Sequence, residues 1–342
     1  MSTIDLPRTL VASLVEDAVT APSMHNAQPW RFVHRADTGA VELYGDPSRA
    51  MPREDPDHRG LHLGCGAALF GLRVAAAHQG LHADVRLLPD TGDAWHLADV
   101  RLRPSQGDED DELAVLRPAL HERHTSRFPF TDEQVPLEIF DGLCAAAFLE
   151  GCRLVVPGPW HTQNVLELVR DSERLEAADD AVRAEVAAWI HTGEAPRERP
   201  AAGNGDARGD LRTEGIPAYA LGPRQYDVTS PVRDFHARRE PSAGAAEPFE
   251  ECPQIALLST AEDRPREWLK AGMALDRVLL QATLDGLSSS LMSQPLEWPE
   301  LRSVARDPET GTGHVHMVIR LGYGPRGQAT PRRPVADVLT FG

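Results

Sequence analysis

Residues 61–81, Leu-His-Leu-Gly-Cys-Gly-Ala-Ala-Leu-Phe-Gly-Leu-Arg-Val-Ala-Ala-Ala-His-Gln-Gly-Leu, form the most apolar helical pattern in the chain. A helix apolar nearly all round has to be buried on most of its faces. Its small residues Gly64, Gly66, Ala67, Ala68 and Gly71 leave room for a second helix to come close, and Gly80 suits the C-terminal cap. Residues 268–287 repeat the layout: small residues, then Leu, Val and Ala at helical spacing, then Gly-Leu, with a strand pattern after each. This echo predicts two related halves, each contributing a long central helix packed against the other's.

At 342 residues the chain has the length of about two domains or one large one. Its net charge of −17 argues against nucleic acid and against an anionic membrane surface as partners. No stretch reads as a membrane span, and no basic region followed by an apolar run opens the chain, so a cytoplasmic location is expected. Cys65, Cys144, Cys152 and Cys252 lie far apart without a C-x-x-C, the pattern of small buried thiols rather than of disulfides or a zinc site.

Strands are expected near 31–35, 40–44, 84–88, 96–102, 153–156, 254–260 and 314–321. Beyond the two long ones, helices are expected at 10–18, 113–123, 137–148, and from 160 in broken form to 190. The acidic run at 108–112 reads as a solvated linker. Residues 193–248 are rich in Pro, Gly, Arg and Ala with little periodicity, the mark of disorder or of a functional lid. Tyr219, Tyr226 and Phe235 would anchor a lid.

The chemistry concentrates in two clusters. In Ala21-Pro22-Ser23-Met24-His25-Asn26-Ala27-Gln28-Pro29-Trp30-Arg31-Phe32, three short polar side chains sit on a helix-to-strand turn stiffened by two prolines. Together they donate and accept hydrogen bonds, which suits a flat heterocycle with alternating carbonyls and ring nitrogens. In Glu122-Arg123-His124-Thr125-Ser126-Arg127-Phe128-Pro129-Phe130, two guanidiniums flank a histidine and two hydroxyls, donors matched to phosphate oxygens. Three other motifs carry nothing. Gly322–Gly327 matches G-x-G-x-x-G but runs into prolines instead of a helix. The pairs His58/His62 and His78/His82 lack a third metal ligand, so no metal is expected. No G-x-S-x-G occurs.

The first cluster resembles the AP-S-x-x-N-x-QPW-x-F signature of the FMN-dependent nitroreductase superfamily, with Pro22, Ser23, Asn26 and Gln28 on its positions. The second is similar to the R-[RH]-[ST]-x-[RK]-x-F segment that holds the FMN phosphate in that family, on Arg123, His124, Thr125 and Arg127. His124 stands where a second Arg is commoner. Arg332-Arg333-Pro334 resembles the terminal R-R-P, which returns basic charge to the phosphate. Gly286-Leu287-Ser288-Ser289-Ser290 reads as a turn leading to Gln294, and it resembles the stretch lying along the flavin's central ring, although the glycine pair common there is absent. In ordinary members the basic segment precedes the polar turn by one helix; here it follows about a hundred residues later. That order resembles the Acg-like actinobacterial subfamily, in which one chain folds as both halves of a nitroreductase dimer.

The resemblance implies an α+β, nitroreductase-like fold with a pseudo-dimer in one chain. Its halves would be residues 1–112 and 113–342, the second carrying a lid insertion at 193–250. It implies one composite FMN site in which Arg123, Arg127 and Arg333, aided by Thr125, neutralise the phosphate while Ser23, Asn26 and Gln28 hold ribityl and ring atoms. It implies ping-pong transfer of electrons from NAD(P)H to a nitroaromatic, quinone or similar small aromatic acceptor, with no catalytic side chain required and the protein a monomer or homodimer. Two alternatives stay open: an FMN-sequestering protein closed by its lid, and a degenerate fold without flavin.

Overall fold

The computed structural model describes residues 6–105, 107–191, 212–223, 233, 249–311 and 313–342. Helix α1 (Arg8–Ala18) turns Val11, Leu14, Val15 and Ala18 inward and leads through a tight turn to β1 (Trp30–His34), antiparallel to β2 (Ala40–Gly45). Helix α2 (Arg59–His78) then crosses to β3 (Leu81–Leu87), and β4 (His96–Pro104) inserts between β2 and β3. Two short helices, α3 (Asp108–Ala114) and α4 (Arg117–Glu122), lead onward.

The same plan then recurs. Helix α5 (Leu137–Leu149) precedes β5 (Arg153–Val155). Between β5 and its neighbour lie α6 (Pro159–Ala178), α7 (Asp180–Ala188) and the parallel two-residue strands β6 (Ile190–His191) and β7 (Ile216–Pro217). Strand β8 (Gln254–Thr260), helix α8 (Pro265–Leu284) and strand β9 (Ser288–Met292) follow. After α9 (Gln294–Glu297) and α10 (Pro299–Val304) comes β10 (His314–Gly322), which inserts between β8 and β9. The strand orders β1-β2-β4-β3 and β5-β8-β10-β9 are therefore the same topology, each with its long helix joining the second strand to the third. The tail returns through α11 (Val335–Val338) and β11 (Leu339–Phe341), which pairs parallel to β1 and ties the end of the chain to the first sheet.

The two long helices cross against each other, and the apolar core follows them. One cluster joins α1, α2 and the first sheet with Leu269, Met273 and Leu280 of α8; a second joins α5, α8 and the second sheet with Leu63 of α2. Leu113, Leu116, Ala119 and Leu120, from the segment expected to open the second half, lie in the first cluster.

Several expectations need correcting. The acidic run at 108–112 is helical, with Asp110 buried and accepting from His82 Nδ1 and Ser105 Oγ; a carboxylate at that place in the first turn favours the helix dipole. Ser288–Ser290 form a strand rather than a turn, because β10 supplies a full ladder of backbone partners that outweighs serine's weak β preference. Helix α2 is long and apolar enough by composition to cross a membrane, contrary to the expectation that no stretch would be, but 89% of its most apolar window is buried in the protein. All four cysteines are free, yet Cys252 is exposed and Cys144 half-buried. The lid expected at 193–250 lies mostly outside the described residues, Tyr226 and Phe235 included.

Candidate functional site

The turn between α1 and β1 is strained. His25, Asn26 and Gln28 all adopt left-handed backbone, with φ of 46°, 56° and 53°, a conformation costing of order 1–3 kcal/mol for each non-glycine residue. Polar side chains hold it. Ser23 Oγ accepts from the Gln28 amide at 2.9 Å. Asn26 Nδ2 donates to the carbonyls of Gly215 and Pro331, both at 3.1 Å, and its Oδ1 accepts from Arg332 at 3.0 Å. Gln28 Nε2 donates to Thr213 O at 2.6 Å, while its Oε1 accepts from the Arg333 amide at 2.7 Å.

Beside this turn a cleft of about 1230 Å³, its open mouth included, lies between the halves. The turn, the start of α2, the segment after α4, β9 and the tail all contribute to its walls. One end is basic. Arg123, His124 and Arg332 act on one another there, with Thr125 next in the chain, while Arg127 lines the cleft under the charge of Arg233. Arg123 is buried and shares the Thr20 carbonyl with Arg332, each donating at 2.9 Å. Arg332 also donates to Val19 O, so its guanidinium closes the C-terminal end of α1. Arg127 donates to Ala220 O at 2.9 Å. Burial lowers these guanidiniums, Arg127 to about 10 and Arg332 to about 9, values that leave both cationic at neutral pH. Burial, followed by the charges of Arg123 and Arg332, pushes His124 down to about 4, so it is neutral there.

Leu63, Ile216, Leu275 and Met317 give the cleft apolar walls. Gln294 lines it too, 2% exposed, and its Nε2 has no hydrogen-bond partner among the described residues. A buried ionic network also borders the cleft. Both Glu54 oxygens lie within 3.0 Å of His25 Nε2, and Glu54 also accepts from Arg233 at 2.8 Å. Arg233 reaches Glu176 and Glu297 as well. Burial pushes Glu54 up, but His25 and Arg233 more than offset it and hold the carboxyl near 2. Burial leaves Glu297 raised despite Arg233. A cleft that combines a basic end, apolar walls and a vacant buried donor fits a flat ligand with an anionic tail.

Of the twelve residues singled out in the sequence, Pro22, Ser23, Asn26, Arg123, His124, Thr125, Arg127, Ser290, Gln294 and Arg332 line the cleft. Gln28 and Arg333 do not. Gln28 is fully buried as a brace of the turn, and the Arg333 guanidinium donates to Gln28 O, Trp30 O and Asp337 O, fastening the tail to β1. Asn26 lines the cleft with its amide already engaged. Sequence reasoning missed the Glu54–His25–Arg233 network, Asp276 behind Arg123, and Arg320, which pins the basic segment through Phe128 O and pairs with Glu250. These partners are 29 to 208 residues apart or carry no motif; only the strained His25 sat inside a cluster already singled out. Among the described residues Glu42, His96 and Asp99 could gather round a cation, but Arg35 and Tyr44 already donate to Glu42.

A nitroreductase family model matches residues 120–323. A Mycobacterium tuberculosis (H37Rv) protein provisionally named an NAD(P)H nitroreductase is 30% identical over 342 residues, covering 97% of this chain and 91% of its own. A second from the same strain, acg, provisionally named likewise, is 29% identical, with 96% and 95% covered. Among solved structures, the FMN-dependent nitroreductase NfnB of Mycobacterium smegmatis in complex with NADPH aligns at 15% identity and a TM-score of 0.38, over 67% of this chain and 99% of its own. A nitroreductase so named provisionally from Anabaena variabilis aligns at 11% and 0.46, over 94% and 90%. Scores of that size establish no residue correspondence.

Proposed function

This chain belongs to the nitroreductase family, and we propose that it is an FMN-dependent oxidoreductase passing electrons from NAD(P)H to a nitroaromatic, quinone or similar small acceptor. The observation that carries the reading is the lining of the cleft, in which the cations Arg123, Arg127 and Arg332 and the Thr125 hydroxyl accompany apolar walls and the vacant Gln294 donor. Residues 1–112 supply the strained turn and residues 113–342 the arginines, so the site is composite.

When bound, the flavin supplies the two-electron chemistry. The chain's own work is binding and orientation. Arg123 and Arg127 neutralise the phosphate and Thr125 adds a hydroxyl donor. Ser23 Oγ, which accepts from Gln28 N, keeps its own proton to donate to a ribityl or ring oxygen. Gln294 Nε2 supplies a further donor, and Leu63, Leu275 and Met317 exclude water. We assign no catalytic side chain.

A second reading, that the protein holds FMN with little turnover, draws on the described part of the 193–250 segment. Thr213, Gly215 and Ala220 accept from Gln28, Asn26 and Arg127, and Ile216 lines the cleft. The visible spectrum of the purified protein, before and after NADPH without oxygen, separates the readings. A flavin band that bleaches supports the reductase. A band that persists supports sequestration, and no band after FMN is supplied overturns both.

A further inference from the structure

Asp276 stands on α8 one turn beyond Gly272 and is 1% exposed. Neither carboxylate oxygen has a hydrogen-bond partner among the described residues. Arg123 Nε lies 4.0 Å from Oδ1, and Arg332 is the other cation acting on it. Both guanidiniums line the cleft while Asp276 does not. An anion in the cleft and the carboxylate in the interior therefore face the same two cations.

We propose that Asp276 is the internal counter-ion of the Arg123–Arg332 pair and takes up a proton from solvent when an anionic group enters the basic end of the cleft. This rests on the FMN reading above, the phosphate being that group. A carboxylate without hydrogen bonds in a dry interior is held charged only by its neighbours' positive charge. Burial has already pushed Asp276 up to about 7 against the pull of Arg123 and Arg332. A dianion beside those arginines offsets their pull, and the carboxyl closes by protonation, O–H forming on one oxygen with no other bond changed. Of the other charged groups on elements packed here, Asp17 pairs with Arg117 and His121, Glu150 with Arg73 and Arg277, and Arg326 with Glu122, while Arg59 donates to backbone carbonyls and Tyr219 acts on Arg332. His124, near 4, gains no proton in the same range.

Calorimetric titration of FMN into the full chain at pH 8, in two buffers of different ionisation enthalpy, reads the proton directly. At that pH the FMN phosphate, with a second pKa of about 6, is already dianionic and contributes nothing. The wild type should take up roughly half a proton per FMN bound, its affinity weakening severalfold from pH 7 to 9. Asp276→Asn should take up clearly less, only the fraction that Arg332, lowered to about 9, regains as the dianion arrives, and its affinity should fall less across that range. FMN binding with equal uptake in both proteins, or with none in the wild type, overturns this inference alone. A wild type that binds no FMN overturns the cofactor reading and this inference with it. Should Asp276→Asn not fold, the wild-type pH series decides: an affinity flat from pH 7 to 9 overturns the proposal.

Discussion

Gly66 and Gly272 meet backbone to backbone where α2 crosses α8. A Cβ on Gly66 would run into the Leu269 carbonyl oxygen and lie 3.0 Å from Gly272 Cα; one on Gly272 would run into the Leu63 carbonyl oxygen and lie 2.9 Å from Gly66 Cα. The contact joins the two halves, and both walls of the cleft depend on it, because Leu63 and Leu275 are carried on these helices within a turn of the crossing.

Gly66→Ala and Gly272→Ala should each destabilise the protein by about 1–3 kcal/mol, since backbone cannot move aside as a flexible side chain can. Gly142→Ala, at an exposed position of α5 with open space around it, should be neutral or stabilise by up to about 1 kcal/mol. Urea midpoints compare the three; equal effects would mean the crossing is not close.

Arg127→Ala should weaken FMN binding by about 10- to 100-fold, the value of a charge-assisted hydrogen bond. Arg333→Ala should instead lower stability by roughly 1 kcal/mol and leave FMN affinity within about twofold, because its guanidinium fastens the tail. Fluorescence titration and thermal melts on both variants check this, and a reversed pattern would exchange the two roles.

Gln294→Met removes a buried donor that has no partner among the described residues. The protein without FMN should gain about 1 kcal/mol or more in stability, and FMN affinity should fall by roughly tenfold. A melt that drops without FMN would show that the amide is already satisfied.

The fully buried His316 donates to or accepts from Thr260 Oγ1 at 2.6 Å, and burial with the nearby Arg59 charge lowers it to about 3. The folded protein thus favours the neutral ring more than the unfolded chain does. Its stabilising contribution is complete above about pH 6.5 and is lost towards pH 3, by at most ~1.4 kcal/mol per pH unit. His316→Gln should flatten the fall in urea midpoint between pH 6.5 and 4. An unchanged slope would assign the acid sensitivity elsewhere.

The two long helices, both buried, were legible because their pattern of small and apolar residues has no other stable use, and their echo carried the repeated topology with it. The polar turn and the basic segment were legible as clusters. The division of labour inside them was not: composition cannot tell that Gln28 and Asn26 spend their amides bracing left-handed backbone while Ser23 faces the cleft. Ser288–Ser290 were read as a turn because strand pairing is decided by a neighbour far along the chain. Glu54, Arg233 and Asp276 carry no local pattern at all, and only the crossing of the halves brings them to the site.

The central claim is that the basic end of the cleft holds a phosphate. The affinities of FMN and riboflavin for the purified protein, measured side by side by flavin fluorescence, test it most directly. Arg123, Arg127 and Thr125 predict that FMN binds at least roughly 100-fold more tightly, two charge-assisted contacts being worth about 3 kcal/mol or more. Equal affinities would contradict the account.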